Sequence, residues 1–298
     1  MTVGILGYGN LGKSLANLLM ENGEDFVVFS DRENNEEGRE EVGIRFYPSF
    51  LLKNEAMPLD AIFLAHGSYG AYREEAISLS RTYNIISAYD IHSHLYAFQD
   101  ALSPITRENK TVAIVGIGWD PGYLSIGRAL SLALFPDVTP KTAWGEGVSE
   151  GHSFALRKIS GVKEAIQYTL PTDTGHQREC YIVCSCEDEG RIREEVFSMK
   201  EYFSKENTNI HFISHETFEK YHKGNAYHRG RVSVQSSDGD STFQFEVSMK
   251  RNPDFTARIM LAYLGALRRL KGMGVYGTFG PLDIPLSLLV DEDAPMLW

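Results

Sequence analysis

At 298 residues the chain has the length of one large domain or two ordinary ones, and 43% hydrophobic with 23% charged residues is a composition that folds around a core. Twenty-nine basic against 40 acidic side chains leave a formal charge of −11, which argues against nucleic acid as a partner, because that affinity rests on basic surface. With no apolar run of membrane-spanning length and no basic start leading into a cleavable apolar stretch, neither a membrane protein nor a secreted one is expected. The three cysteines, Cys180, Cys184 and Cys186, are too few and too close for a disulfide framework. Their even spacing predicts one strand face of small buried groups, which suits a reducing cytoplasm.

Thr2 to Leu6 predicts a buried strand that runs into Gly7-Tyr8-Gly9-Asn10-Leu11-Gly12, an intact G-x-G-x-x-G. Leu15, Leu18 and Leu19 then recur at helical spacing, and Phe26 to Phe29 predicts a second strand ending at Ser30. This strand–turn–helix–strand context gives the glycines their meaning: a tight turn, close backbone approach to a pyrophosphate, and close packing of helix on strand. The helix N-terminus would face the phosphates. Asp31 stands 19 residues after Gly12, where an acidic side chain commonly accepts from the ribose hydroxyls of NAD. Arg32 follows at once and suits the 2′-phosphate of NADP. The two residues point to different cofactors.

Three further apolar runs, Ala61 to Ala65, Asn84 to Tyr89 and Thr111 to Trp119, end at His66-Gly67-Ser68, Asp90 and Asp120-Pro121-Gly122. They read as parallel strands buried on both faces, and open α/β sheets bind ligands beyond the carboxyl ends of such strands. Asp90 also reads as a helix cap and Asp120 as a turn residue; together they make a seat for an ammonium ion. Beyond a helix at Leu124 to Leu134 the pattern becomes strand-rich, with strands expected over Ala165–Leu170, Arg178–Ser185, Asn209–Ile213, Val232–Ser236 and Phe243–Met249. Helices are expected at Glu187–Tyr202 and at Pro253–Lys271, the latter with Asn252 as cap and Gly272 as stop. The fold class is therefore α/β: an N-terminal Rossmann dinucleotide-binding domain with an α+β substrate-binding and dimerisation domain.

Several stretches in this order and spacing resemble the meso-diaminopimelate dehydrogenase family. They are the glycine motif, Gly118-Trp119-Asp120-Pro121-Gly122, Trp144-Gly145, Gly151-His152-Ser153, Gln167-Tyr168-Thr169-Leu170-Pro171 and Arg251-Asn252-Pro253-Asp254-Phe255-Thr256. The resemblance implies a dinucleotide-binding domain over 1–118, a substrate and dimerisation domain over 119–252, and a segment 253–298 that returns to the first domain. It implies NADP-dependent, reversible oxidative deamination of the D-centre of meso-2,6-diaminopimelate, in a cytoplasmic homodimer of bacterial lysine biosynthesis. No metal is implied. Asp90 and Asp120 would contact the reacting ammonium as the catalytic pair, with Trp119 beside them. Trp144 would pack along the substrate near Ser149 and Gly151, while Thr169, Arg178, His228 and Asn252 would hold the distal amino-acid end. The cofactor would meet Gly7 to Gly12, Ser30, Asp31, Arg32, Gly67, Ser68, Tyr69, Tyr89, Asp90, Trp119, Pro121 and Gly122.

The chain departs from the family at two places. The family carries two arginines after the second strand, and the first is Asp31 here, so NADP stays first and NAD stays open. His66 stands where an apolar residue is expected. Chemically the assignments cohere: an arginine fork suits a carboxylate, paired carboxylates suit an ammonium, and the electroneutral substrate is indifferent to the net charge. The group that takes the proton stays open between a water on Asp90 and Asp120 and His152. The alternatives are an NAD(P)-linked D-amino-acid dehydrogenase or dihydrodipicolinate-type reductase with another substrate, and a non-catalytic cofactor-sensing protein.

Overall fold

The structure, a computed structural model, describes residues 2–31, 40–41, 43–54, 57–172 and 175–290. The chain divides into two compact units, residues 1–126 with 253–298, and residues 127–252.

The first unit begins with β1 (Thr2–Leu6), α1 (Asn10–Glu21), β2 (Phe26–Phe29), β3 (Glu40–Glu41), β4 (Ile44–Tyr47) and α2 (Leu51–Asn54). It continues with β5 (Leu59–Leu64), α3 (Tyr72–Leu79), β6 (Ile85–Ser87), α4 (Leu95–Asn109), β7 (Val112–Val115) and the start of α5 (Tyr123–Leu134). Successive side chains of a strand point to opposite faces, and the apolar runs are continuous because both faces are covered. Val3, Ile5, Val28, Phe63 and Ile114 pack beneath Leu15 and Leu19 of α1. Val27, Phe29, Ile62, Leu64 and Val115 pack on the other face with Tyr72 and Ala76 of α3 and with Phe98 and Leu102 of α4.

The second unit holds β8 (Lys141–Trp144), β9 (Gly147–Val148), α6 (Glu150–Arg157), β10 (Glu164–Thr172), β11 (Gly175–Val183), α7 (Glu189–Ser198), β12 (Thr208–Phe212), α8 (His215–Tyr221), β13 (His228–Gln235) and β14 (Thr242–Met249). It forms a four-stranded sheet in the order β12-β11-β10-β9 and a three-stranded sheet in the order β14-β13-β8. The chain then returns to the first unit through α9 (Asn252–Gly272) and β15 (Gly277–Phe279). Met260, Tyr263, Leu264, Leu267 and Leu270 of α9 fall on one stripe and cover the α1 face of the large sheet. That sheet has the order β15-β7-β6-β5-β1-β2-β4-β3, parallel throughout except where β3 meets β4.

Two expectations need correction. Cys180 is buried in β11, and burial pushes its thiol up to about 12. The strand stops at Val183, however, so Cys186 lies exposed in a 3-10 turn (Cys186–Asp188) rather than on the same strand face. The helix expected over Glu187–Tyr202 is shorter, because Ser185 Oγ donates to Asp188 at 2.7 Å and tightens the entry into that turn. At its other end the backbone leaves the helical region at Met199.

Candidate active site

At the carboxyl end of β1, Gly12 sits so close to the preceding turn that an added Cβ would lie 2.1 Å from the Gly7 carbonyl oxygen. Only glycine permits that approach of helix to turn. Gly9 caps α1 without any side-chain hydrogen bond, and a Cβ there would meet nothing within 4 Å. The first turn of α1, Asn10 to Gly12, therefore lies open to an anion, and helix N-termini favour anions. Leu11 leans on the core, and the Tyr8 ring stands edge-on to Phe46 at 4.9 Å. Ser30 is buried and its N–H donates to the Tyr47 carbonyl. Asp31 is exposed, and its carboxylate accepts from the Ser49 N–H at 2.8 Å and from the Ser49 hydroxyl. Arg32 lies outside the described residues.

After β5, His66 pairs with Glu75 at 3.0 Å and packs against Tyr72. Gly67 and Ser68 form the turn that follows, and the Ser68 hydroxyl accepts from the Asp90 N–H at 3.2 Å. Tyr69 is exposed. Tyr89, expected at the cofactor, has its ring in the core, 1% exposed and packed against Tyr72 and Phe98.

Asp90 and Asp120 follow β6 and β7. Asp90 is half-buried, with its Oδ1 buried and lacking a hydrogen-bond partner. Burial raises its carboxyl above the usual range, against the pull of the Ser68 hydroxyl and His92. Asp120 is also buried, and its Oδ2 lies 3.9 Å from His92 Nε2. His92 therefore faces both carboxylates. Sequence reasoning missed it, although it lies two residues beyond Asp90 in the same strand-end loop. Half-buried Trp119 precedes Asp120. Pro121 follows through a cis peptide bond, and Gly122 folds back so tightly that its Cβ would fall 2.0 Å from the Gly118 carbonyl oxygen.

In the second unit, pairing sets the face. Thr169 on β10 lies opposite Arg178 on β11 and Gly147 on β9, and paired residues share a side of the sheet. Gln167 Nε2 donates to Thr169 Oγ1 at 3.1 Å. Arg178 Nη1 donates to the Asn207 amide oxygen at 3.1 Å, an amide rather than a carboxylate, and its Nε is buried without a partner. His176, two residues earlier on the same face, also carries a buried, unpartnered Nε2, and Trp144 stands perpendicular to its ring at 5.7 Å.

Ser149 caps α6 and its hydroxyl meets His152 Nδ1 at 2.7 Å, with Gly151 in the first turn. Burial pushes His152 down to about 3, helped by Arg178, His176 and His228 and opposed by the Tyr202 backbone. It is a neutral imidazole at physiological pH. His228 is buried with Nδ1 at 2.7 Å from the Arg229 carbonyl, so Nδ1 carries the proton. Asn252 is buried and donates its N–H to the Ala226 carbonyl at 2.7 Å. This face thus gathers three imidazoles and a half-buried guanidinium that, among the described residues, has no carboxylate partner. Sequence reasoning missed His176, whose signal was strand alternation from Arg178.

The family model for the diaminopimelic acid dehydrogenase C-terminal domain matches residues 118–175 and 172–252. The meso-diaminopimelate D-dehydrogenase of Lysinibacillus sphaericus is 33% identical, over 99% of this chain and 97% of that protein. The chain belongs to the meso-diaminopimelate D-dehydrogenase family. The model for coenzyme F420-dependent NADP oxidoreductases matches residues 2–72, the stretch of the glycine turn. Among solved structures, an engineered D-amino acid dehydrogenase bound to NADP+ has a TM-score of 0.91 at 30% identity, covering 98% of this chain and 97% of its own. The diaminopimelate dehydrogenase of C. glutamicum in complex with diaminopimelate has a TM-score of 0.88 at 30% identity, with 98% and 96% covered. An α/β oxidoreductase fold follows for this member of the family.

Proposed function

We propose that this chain catalyses the reversible, NADP-linked oxidative deamination of the D-centre of meso-2,6-diaminopimelate to L-2-amino-6-oxopimelate and ammonia, a step of bacterial lysine biosynthesis. The observation that carries this reading is the buried, unpartnered Asp90 Oδ1 past β6, with Asp120 buried past the neighbouring strand β7, on a chain of this family. A buried carboxylate oxygen without a partner is unfavourable alone, and a substrate ammonium supplies what it lacks.

The open first turn of α1 and the space at Gly9 fit a pyrophosphate. A bound nicotinamide would supply the hydride acceptor for the α-hydrogen, and the substrate imine so left would be hydrolysed by water with release of ammonia. Asp90 and Asp120 hold the D-centre ammonium and take up its proton through water, and His92 favours the charged form of Asp90. His152, held neutral, suits a structural partner to Ser149 better than a charged ligand. Thr169, Arg178, His228 and Asn252 hold the distal amino-acid end, where Arg178 is a guanidinium still short of an anion. Trp144, with Ser149 and Gly151, lines the substrate chain, and Trp119, Pro121 and Gly122 shape the reacting end.

A homodimer is part of the reading, supported by the exposed Leu130, Leu132 and Leu134 of α5, and so is a cytoplasmic setting, which suits three free cysteines. The decisive test follows reduced-cofactor formation with meso-diaminopimelate, its L,L isomer and simple D-amino acids. Turnover of the meso isomer alone supports the proposal. Turnover only of simple D-amino acids assigns the chain another substrate, and no turnover of any overturns the reading.

A further inference from the structure

Asp31 and Ser49 stand at the ends of neighbouring strands. β2 and β4 run parallel with Phe29 opposite Tyr47, so the residues just past them meet at the carboxyl edge of the sheet, where open sheets take ligands. Ser49 gives Asp31 both of its donors: the N–H to Oδ1 at 2.8 Å and the hydroxyl to Oδ2. Such a clasp fixes the carboxylate in one orientation, yet each oxygen can still accept a second hydrogen bond. Asp31 also stands 19 residues after Gly12, where the acidic residue of a dinucleotide fold reads the ribose.

We propose that the Asp31–Ser49 clasp sets cofactor choice in this chain. Asp31 accepts from the free ribose hydroxyls of NAD and opposes the 2′-phosphate of NADP, so that the chain turns over both cofactors and Asp31 sets their ratio. Ser49 is a positioning residue that holds the carboxylate in reading orientation without touching the cofactor. Electrostatics sets the size of the effect. Like charges a few ångströms apart oppose each other even in water, and a 2′-phosphate that carries nearly two of them brings the discrimination to about tenfold or more. The inference rests on the dehydrogenase reading.

Its test measures NADP and NAD on the full chain in two ways: kcat/KM with meso-diaminopimelate, and the affinity for NADPH and NADH by fluorescence without substrate. Wild type is expected to use NAD within about tenfold of NADP. Asp31→Ser should raise kcat/KM for NADP about tenfold and lower that for NAD by a similar factor, with the affinities following. Asp31→Asn, which keeps the shape and removes the charge, should recover the NADP gain alone. Ser49→Ala should move the ratio the same way by a smaller factor, through KM rather than kcat, and Ser49→Thr should restore it. An unchanged NADP-to-NAD ratio in Asp31→Ser, in both measurements, overturns the proposal. Absence of turnover in wild type with either cofactor overturns the dehydrogenase reading instead, and the two affinities still decide the clasp.

Discussion

Asp90 is a carboxylate placed where folding alone would not put one. Its raised pKa means that the folded chain holds the proton more tightly than the unfolded chain does. As pH rises from the ordinary carboxylate range through the folded value, the folded state loses that proton and stability falls. At neutral pH the side chain therefore costs stability, of the order of the 1–3 kcal/mol attached to a buried unsatisfied group. Asp90→Asn is expected to melt about 2–4 °C higher at pH 7.5 by calorimetry while losing at least a hundredfold in deamination rate. A lower melting temperature would mean that the carboxylate stabilises the fold. The activity of wild type should also fall on the acid side at a higher pH than an exposed aspartate allows. In the second unit, His176→Ala is expected to raise KM for meso-diaminopimelate roughly fivefold to thirtyfold, the effect of about 1–2 kcal/mol of lost hydrogen bonding. A D-amino acid that lacks the second amino-acid end should show no such change. An equal change for both substrates would place His176 outside the distal site.

At the scale of elements, legibility followed the length and period of each segment. The glycine turn, β1 and β2 were readable because a complete strand–turn–helix–strand pattern is local, and α9 because its apolar stripe and cap are also local. The two-residue β9 and three-residue β15 were not, since a short strand exists only through its partners: β9 through Tyr168 and Thr169 of β10, β15 through Val112 to Ile114 of β7. The site divided in the same way. Asp90 and Asp120 were legible as strand ends, and His176 could have been read by strand alternation from Arg178, whereas His92 matters only because tertiary packing sets it beside Asp120.

The link between β5 and α9 makes a further element-scale prediction. Arg268 donates to Asp60 at 2.8 Å and, with two nitrogens, to both oxygens of Glu24, and Lys271 reaches Asp60 at 3.2 Å. Burial acts to raise the Asp60 carboxyl, but these cations together lower it. Its stabilising contribution is therefore present above the ordinary carboxylate value and is lost as pH falls through the lower folded value. Arg268→Met should destabilise by about 1.5–3 kcal/mol at pH 7, because it removes charged hydrogen bonds and leaves buried Asp60 with Lys271 alone. The difference from wild type should shrink when unfolding is measured near pH 3. A constant difference across pH would show that Arg268 acts through packing.

For the whole molecule, the first unit is built from two stretches of chain separated by the entire second unit. Met260, Tyr263, Leu264, Leu267 and Leu270 are each at most 6% exposed and seal one face of its sheet. Burial of a large apolar side chain contributes roughly 1.5–3 kcal/mol, so these five together match the 5–15 kcal/mol by which a typical domain is stable. The N-terminal stretch therefore carries the glycine turn, Asp90 and Asp120 without carrying a stable fold of its own. A chain ending at Asn252 keeps every one of those residues and also the complete second unit. It is expected to lose NADPH binding and the cooperative thermal transition of the first unit, and to expose an apolar sheet face that binds a hydrophobic dye. The second unit should keep its own transition, since its strands pair within residues 127–252. If the shortened chain bound NADPH as the full chain does, α9 and β15 would be an accessory to the nucleotide fold instead of one of its layers.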